Sequence, residues 1–537
     1  MKRVLTTAAI AILCIAPCPA QPPLKATIDV EAGITEGRFK PIYNWFGYDE
    51  PNYTYGQFGP KLLRELSSLA PVPVYIRTHN LLTSGNGEPA LKWGSTNVYT
   101  EDANGKAVYY WTILDRILDT YRDTNTRPMF EIGFMPEALS IKPQPYQHTW
   151  PRGGITAGWS YPPKDYAKWE ELNYALVRHA MERYGKANVE TWYWEVWNEP
   201  DIGYWKGTPE EYFKVYDHAV RGVRRALPGA KVGGPATTGP ASAKAADFLR
   251  AFLEHCAQTK APLDYISFHA KGRPRVVDGH VQMGLDKELA DVAKGLDIVS
   301  AFPQYRNLPI ILSEADPEGC AACSARTHPE NAYRNGPLYA SYTAAALKGI
   351  LDLAERNHAN IEGLLTWAFE FEGQPFFDGF RTLATNGIDK PVLNVFRMFG
   401  LMHGDRIRVA RAGDQRVDAM ATRSANSAAV LLWNYDADDV PGPDADVDLK
   451  ISGLPAAAGR VEARHYRIDG RHSNAYAVWK EMGSPQELST EQRARLESSG
   501  QLQLLTSPAW ISPEGDRLHL HFTLPHQGVS LVELIWR

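Results

Sequence analysis

Cysteine is scarce. Five occur in 537 residues, and two of them, Cys14 and Cys18, fall within the first twenty positions. The other three, Cys256, Cys320 and Cys323, are too few to staple a disulfide scaffold. A basic field is missing as well. Lys and Arg number 57 against 62 Asp and Glu, a net charge of −5, which excludes the electrostatic footprint of a nucleic-acid binder. Beyond the N-terminal segment no apolar run is long enough to cross a bilayer. No Gly-rich dinucleotide fingerprint follows an early strand. Short fixed-period repeats and low-complexity linkers are also lacking.

What is present suits a large folded chain. Hydrophobic residues reach 44% and charged residues 22%, ordinary for a protein with an extensive core. The 15 Trp and 26 Tyr are many. Flat rings serve barrel cores and also pack on the apolar faces of sugar rings. The first twenty residues have the form of an export signal. Lys2 and Arg3 precede an uncharged run from Val4 to Ala16, and Ala20 offers a small residue for cleavage before Gln21. Leu13 and Pro17, which precede the two N-terminal cysteines, do not suit lipid attachment. The expectation is a periplasmic or secreted protein without membrane insertion. In such an oxidising compartment Cys320-Ala-Ala-Cys323 is expected to close a local disulfide. A thioredoxin-like pair would open a helix after an early strand, and zinc would want two further ligands where His328 is the sole neighbour.

Hydrophobic periodicity divides the chain in two. From residue 41 to 403 strand and helix patterns alternate. Strand-like runs are Tyr43–Phe46, Val74–His79, Pro128–Ile132, Trp192–Trp197, Lys231–Gly233, Leu263–His269, Leu308–Glu314 and Ile361–Phe369. Helical spacing lies between them, including one long helix over Asn331–Arg356. Thr208 with Glu211 forms a capping-box signature. Eight such units predict an α/β fold of the (β/α)8 TIM-barrel type rather than a doubly wound open sheet. After residue 404 short, partly alternating runs predict a C-terminal β-sandwich. The segment 21–40 is expected to join it, because Lys25–Val30 is strand-like.

Barrels of this kind do their chemistry at the C-terminal ends of strands. Two such ends carry glutamates. One is Trp194-Glu-Val-Trp-Asn-Glu199-Pro-Asp201, at strand four. The other is Ile310-Ile-Leu-Ser-Glu314-Ala-Asp-Pro317, at strand seven. Proline cannot continue a central strand, so both carboxylates should project where pairing stops. Strands four and seven face each other across an eight-strand mouth. Two facing carboxylates are what glycosidic cleavage needs, one to protonate the departing oxygen and one to attack or to activate water.

These motifs resemble clan A of the retaining glycoside hydrolases. Trp-Asn-Glu-Pro-Asp with Glu-Ala-Asp-Pro resembles family 39 within it, the family of β-xylosidases and α-L-iduronidases. The resemblance runs from about Tyr43 to Met402, with the family's flanking sandwich after it. It implies Glu199 as acid/base and Glu314 as nucleophile, with no metal or organic cofactor. It implies that Asn198 binds the sugar 2-hydroxyl, that His79 and His269 bind the glycone, and that Trp367 floors the −1 subsite. Glu370 or Glu372 is expected to bind sugar hydroxyls. Arg77, on the same strand parity as His79, is expected to keep Glu314 ionised.

The glycone is less sharply marked. Lys271 and Arg381 match carboxylate-binding positions of the iduronidase branch. The loop Asp316–Cys323 and the stretch Trp367–Glu372 resemble the bacterial β-xylosidase branch, and Glu370 and Glu372 would repel a uronate or neutralise the two cations. The preferred expectation is an exo-acting β-D-xylosidase acting on xylo-oligosaccharides. Iduronidase-like or α-L-arabinosidase activity is the alternative on the same scaffold. A carbohydrate-binding protein without catalysis is the rival from another class, and both intact glutamates speak against it.

Overall fold

The computed structural model describes residues 21–69, 71–147, 156–455 and 459–536. The expected signal, residues 1–20, lies outside the described residues. Eight parallel strands close into a barrel: β1 (Trp45–Tyr48), β2 (Val74–Thr78), β3 (Thr126–Ile132), β4 (Tyr193–Val196), β5 (Lys231–Thr237), β6 (Tyr265–Lys271), β7 (Ile310–Asp316) and β8 (Ile361–Thr366). Each pairs with its sequence neighbours, and β8 pairs with β1 to complete the ring. The helices α1 (Gly59–Ser67), α2 (Thr112–Asp123), α3 (Tyr166–Tyr184), α4 (Pro209–Ala226), α5 (Ala243–Thr259), α6 (Leu285–Ser300), α7 (Pro337–Arg356) and α8 (Pro391–Gly400) follow the strands in turn.

Local chemistry explains the boundaries. Asp165 accepts from the amides of Ala167 and Lys168 and starts α3. Thr208 and Glu211 cap each other's backbone groups at the start of α4, and Pro209 occupies the first turn. The long helix expected from Asn331 begins later. Residues Pro329–Asn335 form a 3-10 turn, Gly336 interrupts, and α7 starts at Pro337.

Two register shifts lie beside the carboxylates. Between β6 and β7, Leu312 pairs with Phe268 and Glu314 with His269, so Ser313 is the extra residue. Between β5 and β6, Pro235 pairs with Ser267 and Thr237 with Phe268, so Ala236 is extra. Bulges of this kind re-aim side chains next to active sites. Here one aligns Glu314 with His269, and the other frees the Ala236 carbonyl, which accepts from the Glu199 amide at 2.9 Å.

The second sheet contains β9 (Asp405–Gly413), β10 (Val417–Arg423), β11 (Ser427–Asn434), β12 (Ala445–Ser452), β13 (Val461–Ile468), β14 (Leu518–Leu524) and β15 (Val529–Ile535). The N-terminal strand Leu24–Arg38 runs antiparallel to β9 and parallel to β12. One apolar cluster joins Ile28, Val430, Leu449, Val461 and Leu534, from opposite ends of the hydrogen-bonded path, so the sheet folds back on itself as a sandwich. Side chains along β11 alternate in destination. Val430 and Leu432 enter the sandwich core, whereas Leu431 and Trp433 join the core of the barrel. This region is not all sheet, as the sequence pattern suggested. Helices α9 (Ala475–Glu481) and α10 (Thr490–Gly500) pack Trp479 and Leu496 against Phe376, Phe377 and Ile388. Their readable signal was the Ser489–Gln492 capping box.

Candidate active site

Strand β4 delivers Asn198 and Glu199 through a strained turn. Trp197 has φ 73° and Glu199 φ 42°, in the left-handed region that side chains other than glycine seldom occupy. Strain of that sort persists where surroundings over-determine it. Trp197 donates its amide to Ile132 O at 3.2 Å and its indole N–H to Tyr204 O at 3.1 Å. The Glu199 amide is held by Ala236 O. Glu199 Oε1 then lies 2.8 Å from His269 Nδ1.

Strand β7 delivers Glu314 from the far side. Lys271 Nζ stands 2.7 Å from its Oε2, and the Arg77 guanidinium 3.2 Å from its Oε1. His79 Nε2 is 3.5 Å from Oε1 and His269 Nδ1 3.7 Å from Oε2. Burial alone would favour the neutral acid. The charges of His269 and Lys271, the hydrogen bond of His79 and the charge of Arg77 outweigh it and hold the Glu314 pKa well below the usual carboxylate range. Glu314 is therefore ionised at neutral pH. Each of Glu199, His269 and Glu314 places one polar atom within 4.8 Å of the other two, so the carboxylates approach as closely as that.

Lys271 also pairs with Asp316 at 3.0 Å. Replacing Lys271 with methionine removes a cation that favours the charged form of Glu314. Its pKa rises, so the ionised fraction is lost at a higher pH. The acid limb of kcat/KM is expected to move up by about 1 unit or more. An unmoved limb in the pH–rate profile would show that Lys271 does not hold this charge.

A layer of buried charge supports the pair from within the barrel. Arg77 on β2 meets Glu195, Glu131 and Glu314, and its Nη2 donates to Asn198 Oδ1 at 3.0 Å. His79 Nδ1 lies 2.6 Å from Asp49 Oδ1, and its ring packs on Trp367 with centroids 4.3 Å apart. Asp316 accepts the Trp367 amide at 2.9 Å and so fixes that ring.

A cavity of about 420 Å³ opens at this end of the barrel, and Glu199, Glu314, His79, Asn198, Lys271 and Trp367 all line it. His269 touches both glutamates from behind them. The other expected residues fall elsewhere. Glu370 is buried and its carboxylate accepts from the Gly387 amide, while Glu372 accepts from the Phe58 amide at 2.8 Å. Neither lines the cavity, because the hairpin around Gly387 and the loop before α1 hold them away. Nor do they neutralise the two cations. Lys271 is taken by Glu314 and Asp316, and the buried Arg381 by Glu318 and Asp316. Cys320 and Cys323 form a disulfide in the same loop as Glu318. Sequence reasoning missed Asp49, Lys92 and Asp291, which line the cavity while buried. Asp49 carries a faint signal, since it follows the first strand. Lys92 and Asp291 carry none. A larger cleft of about 640 Å³ lies on the sandwich near Lys450 and His519, without a comparable set of buried ionisable groups.

Glu370 has a thermodynamic consequence instead. Burial pushes its pKa up to about 8, so the folded state keeps a proton that the unfolded chain releases near 4.5. Its contribution to stability is complete below the unfolded value and disappears as pH rises through about 8. Thermal melts of Glu370→Gln should lose part of the fall in stability between these limits, at most about 1.4 kcal/mol per pH unit. An unchanged slope would mean that Glu370 does not hold this proton.

Glu199, His269 and Glu314 could in principle ligate a metal. The same carboxylate of Glu314 already faces Lys271 and Arg77, so a dication would meet two fixed positive charges. The arrangement instead suits a proton donor and a nucleophile on opposite walls of a cleft. The sequence matches the family described as glycosyl hydrolases family 39 over residues 74–510. The chain belongs to family 39. A β-xylosidase of Geobacillus stearothermophilus is 30% identical over 479 residues, with 86% of each chain covered. The α-L-iduronidase of Mus musculus is 24% identical, covering 84% of this chain and 73% of its own. The solved structure of a monomeric β-xylosidase from Caulobacter crescentus CB15 shares the fold, with a TM-score of 0.78 at 23% identity, covering 95% of this chain and 99% of that one. As a family 39 protein the chain is a glycosidase, with a small glycoside as substrate.

Proposed function

We propose that the protein is a retaining, exo-acting β-D-xylosidase that releases xylose from the non-reducing end of xylo-oligosaccharides. The observation that carries this reading is the approach of the two carboxylates to within 4.8 Å. Retaining enzymes hold theirs about 5–5.5 Å apart, whereas inverting enzymes leave roughly 6.5–9.5 Å for a water. In the first step Glu314 Oε attacks the anomeric carbon. The glycosidic C–O bond breaks, and the Glu199 proton goes to the departing oxygen. In the second step water attacks the same carbon, Glu199 takes its proton, and the ester to Glu314 breaks. No step draws on a metal or an organic cofactor.

Charge pairing supports a neutral glycone. Of the three Lys and Arg side chains that line the cavity, Lys271 and Lys92 are each already bound to a carboxylate of the protein, while Arg273 has no ion pair among the described residues and is a cation a uronate could meet. Arg381 is wholly buried behind Glu318. A uronate would have to compete for Lys271, which keeps iduronidase-like activity as the second reading. The β-xylosidase relatives favour the first. The export signal expected at residues 1–20 fits an enzyme that meets plant polysaccharide outside the cytoplasm.

The test is turnover of an aryl β-D-xyloside beside an aryl α-L-iduronide, with the anomer first released followed by NMR. Fast xyloside hydrolysis giving the β-anomer first is expected. Turnover of the uronide alone would overturn the substrate, and the α-anomer first would overturn retention.

A further inference from the structure

Lys92 lies in the long loop between β2 and α2, is 4% exposed and still lines the cavity. Its φ is 56°, a conformation uncommon for lysine. The backbone is held there by its own amide, which donates to Glu50 Oε1 at 2.7 Å. Its Nζ donates to Asp49 Oδ2 at 2.5 Å. An ammonium carries three donors. Among the described residues Asp49 is the acceptor within reach of Nζ, so two donors remain in a place shielded from bulk water. Buried donors left unmatched are costly, and neither step of the double displacement uses them.

The position of the pair says what could match them. His79 stands between Asp49 and the nucleophile, with Nδ1 2.6 Å from Asp49 and Nε2 3.5 Å from Glu314. Asp49 and Lys92 therefore sit one imidazole ring beyond the carboxylate that attacks the anomeric carbon. On the mechanism proposed above, a sugar held to Glu314 through its anomeric carbon would present its far end to this pair. The pair is electrically balanced, and it offers donors on Lys92 with acceptor lone pairs on Asp49.

We propose that Lys92 is a glycone-specificity residue: with Asp49 it reads two adjacent hydroxyls of a neutral pyranose at the end remote from the anomeric carbon. Nζ donates to one hydroxyl oxygen, and Asp49 accepts from its neighbour. The assignment rests on the glycosidase reading above. It adds a residue that lies in a loop rather than at a strand end.

The test compares kcat/KM for an aryl β-D-xyloside with its 3-deoxy and 4-deoxy analogues, in the wild type and in Lys92→Met. In the wild type, loss of the recognised hydroxyl should cost about 10- to 100-fold, the worth of a hydrogen bond to a charged group. In Lys92→Met the parent should fall to a similar level, and the deoxy penalty should shrink to about threefold or less. An equal loss on parent and analogues would make Lys92 merely structural and overturn the proposal. If Lys92→Met does not fold, the wild-type series still decides, because a penalty below about threefold for both analogues also overturns it. Should the wild type hydrolyse no neutral aryl pyranoside, the proposed function fails together with this assignment. Xyloside turnover without a hydroxyl penalty sinks the assignment alone.

Discussion

Glu314→Ala should lower kcat on an aryl β-D-xyloside by at least about 10⁴-fold, equivalent to ~5.5 kcal/mol of barrier. Glu314 is the ionised carboxylate aimed across the cavity, and four partners hold its charge. On the proposed mechanism, no covalent intermediate forms without it. The small space left should admit azide or formate, which would restore part of the rate and leave a product of inverted configuration. Glu199→Ala should behave differently. A good leaving group needs no proton, so the first step survives and the glycosyl-enzyme accumulates. Azide then accelerates the second step and yields a product of retained configuration. Opposite stereochemistry of the two azide products assigns the roles. More than about a tenth of the wild-type rate in Glu314→Ala would remove Glu314 from the nucleophile role.

Arg77→Met should cost about 3–5 kcal/mol of stability as well as most of the activity. Its guanidinium is wholly buried and serves Glu131, Glu195 and Glu314 together. Methionine has similar length but leaves three buried carboxylates without that cation. The loss should show in denaturant unfolding, with a lowered midpoint. A second effect follows from Asn198, whose side-chain oxygen accepts from Arg77. A midpoint within about 0.5 kcal/mol of the wild type would show that the layer of charge inside the barrel does not depend on Arg77.

Motif and geometry both put Glu199 and Glu314 at the mouth of the barrel, for a physical reason. An apolar strand that ends in Asn-Glu-Pro or Ser-Glu-Ala-Asp-Pro has one place to put its carboxylate, the mouth of the barrel. Lys271 was legible as a residue of the same strand end as His269. Its partner was not. The resemblance to the iduronidase branch implied a cation for the substrate, and the fold brings Glu314 and Asp316 within 3.0 Å of it. Glu370 and Glu372 turn to the Gly387 and Phe58 amides, because the backbone after β8 leaves strand geometry and alternation no longer says which way a side chain turns.

By itself the sequence determined the eight strand–helix units, the two strand ends that carry Glu199 and Glu314, and the sheet after residue 404. Periodicity and proline placement act over a few residues, and those are local facts. The tertiary structure alone decided which charges meet. The two bulges that aim Glu199 and Glu314, the Arg77 cluster across four strands, and Lys92 folded in from a loop to face Asp49 each join residues far apart in the chain. Ion pairing and burial depend on distance in space, and in a closed barrel that distance is set only when the last strand meets the first.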